Sequence, residues 1–165
     1  MVAADQARAY NLRFGEARIL VGGERSGGAW WMGQFREDPG FVTPWHVHPE
    51  MDEQIFVVDG VLSLHLSGAW HDLAAGTLAV VPRGTPHAQA NRGERPVILL
   101  GAGQPAGFEG LFAAQDEILS RMPAGDPLFA AELARVLRRH GTEVLGPPPP
   151  STAPELPPPP DGSGR

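Results

Sequence analysis

The 165-residue sequence predicts an all-β domain followed by two helices. Three observations lead there. Between about residues 17 and 101, short runs of β-branched, aromatic and other apolar residues are separated by Gly, Pro, Asp or Asn, the pattern of strands joined by turns. Glycine (21) and proline (18) are both abundant, which disfavours long helices in that region. Beyond residue 101 the apolar spacing changes from alternation to a helical period.

Residues 1–16 carry little pattern and read as an N-terminal arm. The strand candidates are ARILVG, AWWMGQF, TPWHVH, EQIFVVD, VLSLHLS, AWHDL, TLAVVP, HAQAN and RPVILLG. Many short strands at this spacing build a sandwich or a barrel. In the adjacent pair Trp30 and Trp31, one side chain faces inward and the other outward. In GFEGLFAAQDEILSRM, the residues Phe108, Leu111, Phe112, Ile118, Leu119 and Met122 recur at helical spacing, and Glu117 and Arg121 form a favourable i, i+4 pair. A second helix is expected to start with Asp126 as N-cap and Pro127 at the first helical position. Leu133, Val136 and Leu137 form its apolar stripe, Arg138 and Arg139 suit its C-terminal end, and Gly141 stops it. The apolar piece TEVLG follows. From Pro147 onward nine of nineteen residues are proline, a composition that reads as a polyproline-like, disordered tail. The expected division is an arm over 1–16, a barrel over 17–101, a helical extension over 102–146 and a tail over 147–165.

The formal net charge of −6 gives no basic footprint for nucleic acid or an anionic membrane. No stretch reaches the roughly 18 apolar residues of a membrane span, and the first residues lack the basic-then-apolar pattern of a signal peptide. The expectation is a cytoplasmic protein acting on a small molecule. With no cysteine in the chain, a metal site has to be built from His, Asp or Glu.

The segment PWHVHPEMDEQIFVVDG, residues 44–60, supplies such a site. Alternation in a strand points His46 and His48 to one side and Trp45 and Val47 to the other. By the same parity Glu53, Ile55 and Val57 share a face of the next strand, and a turn at Pro49–Asp52 returns Glu53 to the two histidines. Two imidazoles and a carboxylate from adjacent strands form an N/O metal site. A fourth candidate, His87, lies in GTLAVVPRGTPHAQAN with Gln89 and Asn91 on its face. His65 and His71 have no partner at ligand spacing. Glu50 and Asp52 flank the ligand segment without fitting its spacing as well as Glu53, and His140 suits a helix C-terminus.

The spacing itself has a counterpart. Gly40, five residues, His46, one, His48, four, Glu53, six, Gly60 is followed, fifteen residues on, by Gly76, five, Pro82, one, Gly84, two, His87, three, Asn91. These ten positions resemble both signature motifs of the cupin superfamily, in order and unbroken. The resemblance implies a double-stranded β-helix, or jelly-roll, barrel holding one divalent metal ion through His46, His48, Glu53 and His87. The segments GQPAGFEGLFAAQDEILSRM and RHGTEVLGPP resemble, more loosely, the endings of single-domain cupins grouped with quercetin 2,3-dioxygenase.

Three histidines and one carboxylate leave metal positions open, as catalysis needs. The ion is one of Fe, Ni, Mn, Co or Zn, and His and Glu donors accept several of these. Glu53 has a second possible role as general base. The expected pocket is apolar, with Phe35, Ile55, Val57, Val80 and Phe108 near the ligands and Gln89 as a polar contact. It suits a flat substrate with one or two metal-binding oxygens. Three functions follow: an oxygenase using dioxygen on an enol, flavonol or other aromatic; a non-redox cyclase or isomerase; and a non-catalytic ligand-binding cupin. The absence of a helix-turn-helix segment argues against a one-chain transcription regulator. Cupins commonly pair, so a homodimer is expected.

Overall fold

The computed structural model of the chain describes residues 3–122 and 126–150. Among these residues the strands are β1 (Ala9–Asn11), β2 (Gly15–Val21), β3 (Trp31–Glu37), β4 (Trp45–Val47), β5 (Asp52–Asp59), β6 (Val61–Leu66), β7 (Ala69–Ala74), β8 (Leu78–Val81), β9 (Ala88–Ala90), β10 (Val97–Gln104) and β11 (Glu143–Gly146). The helices are α1 (Gly23–Ser26), α2 (Gly110–Arg121) and α3 (Phe129–Arg139). The nine strand candidates carry β2 to β10, so the all-β expectation with two later helices holds.

The strands form a six-stranded sheet in the order β1-β2-β3-β10-β5-β8, a three-stranded sheet β7-β6-β9, and a pair β11-β4. Every pairing is antiparallel, as in a jelly roll. Alternation decides which residues meet. In β3 the buried positions are Trp31, Gly33, Phe35 and Glu37. In β5 they include Ile55 and Val57, and β6 contributes Leu62 and Leu64. These side chains join Val97 and Leu99 of β10 in one core between the two larger sheets. Each such burial contributes on the order of 1.5–3 kcal/mol. Gly101 of β10 makes room for this arrangement: a Cβ there would lie 2.8 Å from a ring carbon of Phe35. Gly60 turns β5 into β6 at φ +87°, a conformation open to glycine at little cost.

The structure adds to the sequence reading in several places. Within residues 1–16, Ala9–Asn11 forms β1 and pairs with β2, with Tyr10 opposite Ala17. Trp31 is the buried member of the tryptophan pair, and Trp30 is exposed. Helix α2 docks Phe112 into the barrel core, while Leu111 and Ile118 pack with Val136 of α3. Arg121 pairs with Glu132 of α3, Nη2 to Oε1 at 3.0 Å, rather than with Glu117, because the end of α2 faces the start of α3. Asp126 is not the N-cap: it accepts the Leu128 N–H at 2.8 Å to close a turn over Pro127 and Leu128, the cap position falls to Leu128, and α3 begins at Phe129. The TEVLG piece becomes β11, which places Val144 opposite His46. At the end of the described chain, Trp70 Nε1 donates to the Pro150 carbonyl at 3.1 Å; residues 151–165 of the proline-rich segment lie outside the described residues. Among the described residues no helix is long and apolar enough to cross a membrane.

Candidate metal centre

His46 and His48, on and just beyond β4, project to one side. Trp45 turns to the other and stands edge-on to His65, with ring centroids 4.8 Å apart. His87 arrives from the segment before β9. A reciprocal backbone pair fixes its position: His46 N–H donates to His87 O at 3.0 Å, and His87 N–H donates to His46 O at 2.8 Å. The ring centroids lie 4.2 Å apart for His46 and His87, 4.9 Å for His46 and His48, and 5.3 Å for His48 and His87. One donor atom from each of the three lies within 4.8 Å of the others.

The outer ring nitrogens explain this convergence. His46 Nδ1–H donates to the Pro44 carbonyl at 2.8 Å, and His87 Nδ1–H to the Thr85 carbonyl at 3.0 Å. His48 Nδ1 lies 3.2 Å from Thr142 Oγ1, a buried hydroxyl one residue before β11. With each Nδ1 engaged, Nε2 is the nitrogen each ring offers inward. Anchoring of this kind orients metal-binding histidines and fixes their tautomer. Glu53 joins from β5, its Oε2 at 2.9 Å from His87 Nε2 and 3.6 Å from His48 Nε2.

Burial and the neighbouring imidazoles push the His46 pKa down to about 4, so its ring stays neutral and free to bind a cation. Burial also lowers that of His48. Burial opposes charge on His87 and Glu53 alike. The hydrogen bond between them and their mutual attraction outweigh it, raising His87 and lowering Glu53. Three inward nitrogens beside an ionised carboxylate fit a borderline divalent ion such as Fe, Ni, Mn, Co or Zn. The four predicted ligand residues thus come together, three as a compact cluster and Glu53 in contact with two of them.

His46, His48 and Glu53 open onto a cavity of about 330 Å³. The four predicted pocket residues Phe35, Ile55, Gln89 and Phe108 all line it. Phe108 stands edge-on to His48 at 4.9 Å and packs on Trp31 at 5.4 Å. Val80 does not contribute: it pairs with Gln54, whose side of β5 faces outward, and it is exposed. Val57 is buried in the core rather than in the cavity wall. Asp52, next to Glu53, turns outward by parity and forks with Arg83, whose Nη2 lies 2.7 Å from Oδ2. Asn91 holds the loop after β9 by donating to the Glu37 and Arg95 carbonyls, each at 2.8 Å.

Two residues at the site were not anticipated. Thr142 is 94 positions from its histidine partner in sequence, and no local signal connects them. Glu37 is fully buried and lines the cavity. It shares a strand face with Phe35, two positions earlier, so alternation from that residue leads directly to it.

Residues 33–102 match the cupin domain family. The putative germin-like protein 9-2 of Oryza sativa subsp. japonica is 41% identical over 69 residues, covering 39% of this chain and 32% of that protein. Quercetin 2,3-dioxygenase of Bacillus subtilis is 33% identical over 79 residues, covering 48% of this chain and 23% of that one. The chain therefore spans about a third of the length of the first and about a quarter of the second. Among solved structures, the polyketide cyclase RemF of Streptomyces resistomycificus aligns with a TM-score of 0.57 at 22% identity, covering 63% of this chain and 78% of the other. A cupin-superfamily sugar phosphate isomerase from Silicibacter pomeroyi gives 0.57 at 22% identity, covering 65% and 76%. At these identities the structural likeness concerns the fold. Residues 33–102 of the barrel form a cupin domain, and the fold is the one these cupin structures share.

Proposed function

We propose that this chain is a mononuclear metal-dependent enzyme, a dioxygenase acting on a small, flat substrate with an enol or phenol oxygen. One juxtaposition supports the reading: the three inward histidines and Glu53 lie at one wall of a cavity otherwise lined by rings and aliphatic side chains. Trp31, Phe35, Phe108 and Phe112 form a connected aromatic cluster along it. Such walls bind a planar apolar ring system and exclude water, leaving the polar end to orient it. The 33%-identical segment of the Bacillus quercetin 2,3-dioxygenase adds support for oxygenase chemistry.

In this reading His46, His48 and His87 hold the ion, and Glu53 completes the set. A bound ion supplies Lewis acidity toward a substrate oxygen and, when redox-active, electron exchange with dioxygen. The chain's own residues do the rest. Glu53, ionised and at hydrogen-bond distance from His87, accepts a proton from a substrate hydroxyl at Oε2. The fixed Nδ1 bonds keep the three rings from swinging as substrate enters.

The test is elemental analysis of protein purified without a metal-affinity tag, with oxygen uptake followed against a panel of flavonols and polyphenols. Iron, nickel, manganese or cobalt together with uptake supports the oxygenase. Zinc with no uptake moves the function to the second reading, a non-redox aromatic cyclase. The cavity favours a cyclase over an isomerase of sugar phosphates: Arg13 is the one basic side chain in its lining among the described residues, too few to clamp a phosphate ester.

A further inference from the structure

The cavity holds a second acidic residue whose role the metal-ligand set does not explain. Glu37, at the end of β3, is fully buried. Its Oε1 accepts a hydrogen bond from Gln89 Nε2. Its Oε2 is buried with no partner among the described residues. A buried, unpaired carboxyl oxygen is costly unless something meets it in the working state. Glu37 and Gln89 both line the cavity that His46, His48 and Glu53 also line.

We propose that Glu37 is a substrate-positioning residue, whose Oε2–H donates a hydrogen bond to a carbonyl oxygen of a planar aromatic substrate lying between it and the histidines. The proposal rests on the reading of the site as one for flat, oxygen-bearing rings, and it narrows that class to substrates with a ketone or ester oxygen set apart from the oxygen that meets the metal.

The division of labour within the carboxyl group follows from its contacts. With Oε1 accepting from Gln89, a single proton on Oε2 satisfies both the acid and an incoming acceptor. The surroundings favour that proton. Burial raises the Glu37 pKa to about 8; the Gln89 bond opposes the rise and the charge of Glu53 adds to it. The other charged or titratable groups lining the cavity are His46, His48 and Arg13. The Arg13 guanidinium lies over the Phe14 and Phe129 rings, 5.6 Å from each centroid. A neutral donor at one end and a metal site at the other fix a rigid ring in one orientation. Glu37 holds its proton throughout and transfers none.

The test uses zinc-loaded protein, which is redox-silent. Two probes are titrated: 7-hydroxyflavone, whose ring carbonyl lies across the fused ring from its hydroxyl, and catechin, which has hydroxyls and no carbonyl. Glu37→Gln keeps a donor at the same place and is expected to bind 7-hydroxyflavone within about threefold of wild type, whereas Glu37→Leu loses about tenfold, the size of one hydrogen bond left unmade. Catechin binding is expected to stay level in both variants. Infrared spectra give a readout that needs no ligand. A protonated-carboxyl band is expected at neutral pH in the wild type and absent in Glu37→Gln. Absence of that band in the wild type, or equal effects of Glu37→Leu on both probes, overturns the role of Glu37 and leaves the metal site reading standing. Failure of the zinc-loaded wild type to bind either probe overturns the substrate class, and the proposal with it.

Discussion

At the scale of single residues, what the sequence disclosed and what it hid have one physical cause. Residues two apart in a strand share a face, so the convergence of His46 and His48 is legible from spacing alone, and the parity of β5 supplies Glu53. Glu37 was reachable by the same alternation from Phe35, but a glutamate in FRED looks like surface charge until the pairing of β3 with β2 and β10 buries it. Replacing His48 with Ala should abolish most metal binding, because the cluster loses one of three inward nitrogens. Full metal stoichiometry in that variant, measured by elemental analysis, would show the ion to be held elsewhere. Glu53→Gln keeps shape but removes the charge and the proton acceptor. A fall in turnover of about 10²-fold or more is expected with the fold unchanged by circular dichroism. Undiminished turnover would remove Glu53 from the chemistry.

At the scale of elements, the barrel strands were legible because each is a short apolar run bounded by a turn, whereas β11 was not. Its four residues, Glu143–Gly146, are exposed or half-buried, and they become a strand only by pairing with β4, about 100 positions away. This pairing brings Thr142 against His48. Thr142 is buried and nearly isosteric with valine, so Thr142→Val removes the hydroxyl with little change of volume. The expected result is a metal affinity lower by about tenfold, the lower end of what losing a partner of a metal-binding histidine costs, with a far smaller effect on folding. Isothermal titration with zinc measures it; unchanged affinity would mean that His48 is oriented by packing alone. Helix α2 makes a second element-scale case. Phe112 meets Phe35 at 5.1 Å, Phe108 at 5.5 Å and Trp31 at 5.9 Å. Phe112→Ala should therefore destabilise the protein by about 3–5 kcal/mol in a denaturant titration. A loss well below that range would mean that the helix is not held to the barrel by this ring.

At the scale of the whole molecule, the site draws β4, β5 and the segment before β9 together, so binding an ion there stabilises the fold as a unit. An ion at a hundred times its Kd adds about 2.7 kcal/mol, which for a chain of this size raises Tm by about 5–10 °C. Chelation should reverse the shift, and His48→Ala should show none. The metal-free protein then reveals the two large, opposed pKa shifts in its interior. His46 titrates at about 4 in the fold against 6.5 in the unfolded chain. Between those values the unfolded state binds more protons, so this contribution to stability is complete above pH 6.5 and is lost as the pH falls toward 4. Glu37 runs the other way, at about 8 in the fold against 4.5 unfolded. Its contribution is complete below pH 4.5 and is lost as the pH rises toward 8. The two slopes oppose each other between pH 4.5 and 6.5, the two unfolded values. His48, lowered by burial, adds to the acid fall, and His87, raised through its bond to Glu53, adds to the alkaline one. Stability of the metal-free protein should therefore fall below pH 4.5 and above pH 6.5, and Glu37→Gln should make the alkaline fall shallower while leaving the acid one. Urea titrations at intervals of pH measure both limbs. An alkaline limb as steep in Glu37→Gln as in the wild type would show that His87 alone sets it, and that Glu37 is already ionised in the folded barrel.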